Sequence, residues 1–155
     1  MFTGDRSGDW LYRALHKAGY AIQPTSVGRD DGLKLAGAFV TATVRCAPPD
    51  NKPNPQEIAR CLPYLEWELE QLKDARVYLA LGKIGFDAAW KLLKDRGLAP
   101  PKSTRPTFAH NLAFALKEGR WLLASYHPSQ QNTFTGRLTE PMFDSVFAKA
   151  RSLAD

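Results

Sequence analysis

Ala75–Gly82 reads ARVYLALG. A run this short and nearly all apolar, closed by a glycine, is the pattern of a strand covered on both faces, as in parallel sheets flanked by helices. Beyond it, helical periodicity runs from about Ile84 to Arg96 and stops at Gly97. On the amino-terminal side, Ala38–Arg45 (AFVTATVR) is rich in β-branched residues and predicts a second strand. On the carboxyl-terminal side, Leu112–Leu116 and Trp121–Tyr126 predict strands flanking the turn signal KEGR. Helices fill the intervals. Ser7 is a candidate N-cap with Asp9 in the first turn, and Trp10, Leu11, Ala14, Leu15 and Ala18 form one apolar stripe ending at Gly19. Asn54, Pro55 and Glu57 make a capping-box start for a stripe of Ile58, Cys61, Leu62, Leu65, Leu69 and Leu72, so Cys61 is expected to face inward. Thr139 caps a last helix with Met142, Val146, Phe147 and Ala150 on its inner side. Residues 22–35 read as a loop, and the prolines of CAPPDNKPNPQE make a stiff irregular one.

Strands interleaved with helices imply an α/β fold, a parallel sheet with helices on both sides. Ligands of such folds bind past the carboxyl ends of the strands. The loops CAPPDN, LGKIG and HPSQQNTFTG each follow a strand and are expected to converge on one edge. The 155 residues, 44% of them hydrophobic, suffice for one domain with a substantial core, and neither a repeat nor a linker divides them. No apolar run approaches the roughly 20 residues of a membrane span, and no basic-then-apolar leader follows Met1, which points to a cytoplasmic protein. The net charge of +5 suits an anionic partner such as nucleic acid. Two cysteines, Cys46 and Cys61, have a spacing that matches no zinc finger, and two ligands cannot fill a tetrahedral site. Read by spacing alone, they are buried thiols of a reducing compartment.

The loop Ser125–Arg137, SYHPSQQNTFTGR, concentrates a histidine, small hydroxyls, three amides, a phenylalanine and an arginine at a strand end. In isolation His-Pro-Ser is a turn, with the imidazole bonding a nearby carbonyl. In this company the hydroxyls, amides and backbone N–H groups suit phosphate contacts, and Phe134 is an apolar wedge of the kind that fills the gap left by an unstacked base, with Arg137 adding charge beside it.

Five motifs together, FTGDRSGDWLYRAL (2–15), VRCAPPDNKPNPQE (44–57), RCLPYLEWEL (60–69), LALG (79–82) and SYHPSQQNTFTGRLT (125–139), resemble the uracil-DNA glycosylase superfamily, most closely its family 5 or B-type branch. The resemblance covers nearly the whole chain in the same order. It implies a three-layer α/β/α sandwich with a central, mainly parallel sheet. It also implies excision of uracil or another deaminated base from DNA by hydrolysis of the N-glycosidic bond, after the nucleotide is rotated out of the duplex. By that resemblance Phe2 stacks on the flipped base. Asp5 orients water or stabilises positive charge on the sugar, His127 donates to the departing base, and Asn51 positions water or base. Ser129 holds phosphate, while Phe134 with Gln130, Gln131 and Asn132 enters the duplex gap. Each has a plainer reading: Asp5 as a turn residue before the Ser7 cap, Asn51 as a bracket of the proline loop, Phe2 as a staple on the first helix. Family 4 relatives carry an Asn in the strand that reads uracil's pairing edge, where this chain has Thr41, Ala42 and Thr43, so a broader lesion range is expected.

The family also implies a [4Fe-4S] cluster, for which Cys46 and Cys61 match two of the four thiolates needed. The family's GLAPG-like loop after a first strand, and its earlier cysteine pair, have no counterpart here. The expectation is therefore a single domain over 1–155 that is amino-terminally truncated, lacks the first strand and is inactive by itself. The expected partner is DNA, double- or single-stranded, bound by a monomer away from any membrane. Two other classes remain open: a non-catalytic DNA-binding remnant of the same fold, and a hydrolase using Ser125 or Ser129 with His127, which lacks the Gly-x-Ser-x-Gly setting.

Overall fold

The computed structural model describes residues 4–45 and 52–155, so the expectations for Phe2, Cys46 and Asn51 lie outside the described residues. Helix α1 (Arg6–Lys17) is followed by irregular backbone over the described residues 18–45, and after these come α2 (Pro55–Gln71), β1 (Val77–Leu81) and α3 (Lys83–Asp95). After these come β2 (Ala113–Ala115), a 3-10 turn over Lys117–Gly119, β3 (Trp121–Ser125), α4 (Gln130–Phe134) and α5 (Glu140–Ala154). The sheet order is β1-β3-β2. Strands β1 and β3 run parallel, in register from Val77↔Trp121 to Leu81↔Ser125.

Strand β1 is covered on both faces, as ARVYLAL predicts. Leu79 and Leu81 pack against the cluster of Trp10, Leu11 and Leu15 from α1 and Phe143 and Phe147 from α5. Tyr78 and Ala80 belong to the opposite cluster, with Phe86, Trp90 and Leu93 of α3 and Leu122 and Ala124 of β3. Alternate residues of one strand thus face two helical layers, which is the α/β/α arrangement. Burying each of the fully enclosed Phe86, Phe143, Leu122 and Leu138 stabilises the fold by about 1.5–3 kcal/mol.

Three local expectations are corrected. The sheet among the described residues is mixed rather than mainly parallel, because β2 pairs antiparallel with β3. The connection between them is too short for anything else: a parallel neighbour needs a crossover of a dozen or more residues. Ala38–Arg45 forms no regular strand. Its Ala38 and Val40 pack on the α1/α5 cluster, and Thr41 and Arg45 both donate to the buried Glu68 of α2. Its β-branched residues favour an extended backbone, but a strand also needs a hydrogen-bonding neighbour, and the described residues place none beside it. The cap of α1 is Asp5, not Ser7: Asp5 Oδ1 accepts from the Gly8 N–H at 2.6 Å, while Ser7 Oγ donates to the Pro128 carbonyl at 2.9 Å. The capping box of α2 at Asn54 and Glu57 and the Thr139 cap of α5 form as read.

Gly82 is the hinge between β1 and α3. Its N–H continues the β1–β3 ladder to the Ser125 carbonyl at 2.8 Å, and its φ of 89° with ψ of 166° belongs to a region essentially reserved for glycine. A Cβ there would stand 3.2 Å from the Cβ of His127. Gly82→Ala is expected to cost about 1–3 kcal/mol in chemical denaturation and to displace His127, because strain and contact act together.

Candidate active site

The parallel pairing of β1 with β3 sets two of the three predicted loops side by side at the carboxyl edge; the third, CAPPDN, lies outside the described residues. His127 follows β3 by two residues and rests on Gly82. Its loop is tied down at several points. Pro128 is fully buried, and its carbonyl accepts from Ser7 of α1. Asn132 Nδ2 donates to the His127 carbonyl at 2.9 Å, and the Asn132 N–H bonds the Ser129 Oγ cap of α4 at 3.3 Å. The Asn132 carbonyl in turn accepts from the N–H of the fully buried Leu138 at 3.0 Å.

Asp5 reaches this edge through α1. The Gly4 N–H donates to the Ser26 carbonyl at 3.1 Å, and the loop carrying Ser26 is organised by Asp31. That carboxylate accepts from the N–H groups of Val27 at 2.8 Å and Leu33 at 3.0 Å. The Leu33 bond leads in holding Asp31 below the ordinary carboxylate range. Asp31 is a site-supporting residue that sequence reasoning left inside an undifferentiated loop, although an aspartate before glycine is the usual chemistry for gathering backbone N–H groups in a turn.

Electrostatics link the two candidate groups. Burial is the main cause that lowers the His127 pKa, and the Asp5 carboxylate, close enough to act on it, pulls in the opposite direction. The imidazole is therefore neutral near pH 7. Folded-state depression means that this histidine contributes stability above its unfolded pKa of about 6.5, lost as pH falls toward the folded value. On the other flank Phe134 is 67% exposed. The Arg6 guanidinium lies 4.3 Å over that ring and its Nε donates to Thr133 Oγ1 at 3.1 Å. Gln130, Gln131 and Arg137 are exposed, with the Arg137 guanidinium 4.6 Å over the Tyr126 ring.

The structure thus brings together Asp5, His127, Asn132 and the Ser129–Phe134 helix. It also turns part of the expected loop into α4, with Ser129 as its cap rather than as an unengaged hydroxyl. Ser125 is fully buried and donates to the Tyr126 carbonyl at 2.9 Å, which removes it as a nucleophile. Cys61 is half-buried, and its Sγ accepts from the Arg45 N–H at 3.4 Å. Among the described residues no group of three or more His, Cys, Asp or Glu side chains is placed to hold a metal ion, and no helix is long and apolar enough to cross a membrane.

Fold and edge together define an α/β sandwich that presents a neutral histidine, a nearby carboxylate and an exposed aromatic at the carboxyl end of its parallel strands. The model of the uracil DNA glycosylase superfamily matches residues 1–151. The chain is 51% identical over 153 residues to the type-5 uracil-DNA glycosylase of Thermus thermophilus, covering 99% of this chain and 67% of that protein. It is 46% identical over 155 residues to the type-5 uracil-DNA glycosylase of Mycobacterium tuberculosis, covering 99% of this chain and 56% of the relative. The type-5 enzyme of Pyrobaculum aerophilum is 37% identical over 150 residues, with 97% and 62% covered. The chain belongs to the uracil-DNA glycosylase superfamily, in its type-5 branch. It spans between about half and two thirds of the length of these relatives.

The cap and the charge of Asp5 can be separated. Asp5→Asn keeps an N-cap acceptor, so thermal unfolding should change little, whereas Asp5→Ala should lose about 0.5–2 kcal/mol. Both remove the carboxylate, and an NMR titration should then show the His127 pKa falling further below its already lowered value, because the Asp5 charge that opposes the shift is gone.

Proposed function

We propose that this chain carries the base-excision chemistry of a DNA glycosylase that hydrolyses the N-glycosidic bond of uracil or another deaminated base. The observation that carries the reading is the half-buried, neutral His127 at the carboxyl edge with the Asp5 carboxylate acting on it. Cleavage sends the bonding electrons to the base, which leaves as an anion, and develops positive charge on the sugar. A fixed N–H donor held in a partly water-excluded site meets the first charge, and a carboxylate meets the second or orients the attacking water. Water then adds at the sugar carbon, giving an abasic site and the free base.

The exposed Phe134 supports a duplex substrate, since an apolar side chain that enters the stack offsets the loss of the extruded base. Arg6 over its ring and Arg137 over the Tyr126 ring, with the net charge of +5, supply sequence-independent attraction to phosphates. Thr41, in the stretch where family 4 relatives carry the Asn that reads uracil, donates its hydroxyl to Glu68, which supports a lesion range broader than uracil alone. Phe2 and Asn51 remain assigned to base stacking and base or water positioning by resemblance. The [4Fe-4S] cluster of the family would take Cys46 and Cys61 as two of its thiolates. The Arg45 N–H on Cys61 suits a cluster-bound sulfur. Two cysteines are half of the required set, so the residues of this chain do not complete the site, and no catalytic step is routed through it.

In the active full-length protein, His127→Ala is expected to lower excision of uracil from an oligonucleotide by about 10²-fold or more, read as abasic-site formation. Wild-type turnover in that variant would sink the reading. Binding of lesion DNA without any abasic product, unaffected by Asp5→Ala, would instead establish a DNA-binding remnant of the fold. Phe134→Ala should leave stability nearly unchanged and depress excision from duplex more than from single-stranded DNA.

A further inference from the structure

His110 is a titratable side chain that the chemistry above does not use, and it is bound at both ring nitrogens. Its Nδ1 accepts from the Tyr126 N–H at 3.1 Å, and its Nε2 lies 3.3 Å from the Met142 carbonyl of α5. The ring also stacks on Tyr126, with centroids 4.9 Å apart and an interplanar angle of 32°. An acceptor Nδ1 carries no proton, so the neutral ring carries it on Nε2 and donates to Met142. The segment that delivers His110 is itself fastened to β3. The Asn111 N–H donates to the Ala124 carbonyl at 2.8 Å, the Ala124 N–H donates to the Leu112 carbonyl at 3.0 Å, and Asn111 takes a positive φ of 63°.

Tyr126 immediately precedes His127, and its N–H belongs to the peptide that leaves the sheet. The carbonyl of that peptide, on Ser125, accepts the last β1–β3 ladder bond from Gly82, so the Tyr126 N–H on its opposite side needs a partner from elsewhere. We propose that His110, as its Nε2–H tautomer, is a positioning residue for His127: it holds the Tyr126 peptide and thereby fixes the direction in which His127 leaves the strand. The role rests on the glycosylase reading for its catalytic consequence, but the positioning itself does not. An imidazolium at His110 would set a second N–H against that of Tyr126 and break this bond, leaving the peptide held only at its carbonyl by Gly82. Its surroundings oppose that state. Burial is the leading cause that lowers the His110 pKa, and Lys149 of α5, whose Nζ donates to the Asn111 carbonyl at 2.9 Å, adds to it; the Met142 carbonyl works the other way. Arg137 lies over the far partner, Tyr126.

The test has two arms. In the wild-type chain, the Tyr126 amide signal and the His127 ring signals are followed by NMR as pH is lowered from 8 to 5. Both are expected to show a transition at the pKa of the His110 ring, and in His110→Asn, which keeps an acceptor in the Nδ1 position, that transition should vanish while the Tyr126 amide stays near its high-pH shift. A Tyr126 amide indifferent to His110 protonation overturns the proposal, whether or not the protein excises bases. In the active full-length protein, His110→Phe keeps the stack on Tyr126 and removes the acceptor. It should lower kcat by about 10- to 100-fold with KM for DNA within about twofold, and His110→Asn should recover most of the loss. Equal loss in both variants at equal folded fraction would overturn it as well. Failure of the wild-type enzyme to excise would sink the glycosylase reading alone and leave the NMR arm standing.

Discussion

Everything at the candidate site depends on the parallel register of β1 with β3. Because Leu81 sits opposite Ser125, the two chains leave the sheet at the same level, and the next residues, Gly82 on one side and Tyr126-His127 on the other, must pass each other at close range. Only a residue without a side chain allows that passage: the backbone at Gly82 takes a conformation that other residues avoid, and the His127 Cβ occupies the space next to it. A register slip of one residue would exchange the two faces of β1 between the helical layers and carry His127 away from the α1 side of the sheet.

Around that contact the molecule spends polar groups on orientation. Ser7 and Asn132 hold the loop from two elements, bonding the carbonyls of Pro128 and His127, and Asp31 shapes the turn whose Ser26 carbonyl holds Gly4 and so places Asp5. Asp5 carries two duties at once, as cap of α1 and as the charge acting on His127. The plain reading of Asp5 as a local structural residue and the chemical reading are therefore compatible. A carboxylate at a helix N-terminus is stabilised there by the exposed N–H groups, and the same helix carries it to the strand edge.

Much of the fold was legible in the chain. The buried strand, the helix after it, the capping box at Asn54 and the Thr139 cap all follow from rules that act within a few residues. The misses share a cause. Ala38–Arg45 has strand propensity but no ladder beside it among the described residues, and Glu68 gathers Thr41 and Arg45 from a distance of more than 20 residues in sequence. Ser7 met the statistical profile of a cap, yet its hydroxyl is drawn to Pro128 across the molecule and Asp5 takes the local role. His110 carried no signal at all, because a histidine in a polar, proline-containing stretch is ordinary until β3 arrives to claim its ring.

The sequence by itself determined where chemistry could reside: a loop after a buried strand that sets one histidine among hydroxyls and amides, an acidic residue at the start of α1, an apolar wedge and an excess of positive charge. These are properties of residue type and short-range periodicity. The tertiary structure alone decided that Asp5 and His127 influence each other, that His127 is neutral, that Phe134 stands exposed beneath Arg6, and that Ser125 is sealed from any substrate. Those outcomes turn on desolvation and on contacts between segments about 120 residues apart, such as Ser7 with Pro128, and neither quantity is encoded in any local window of the chain.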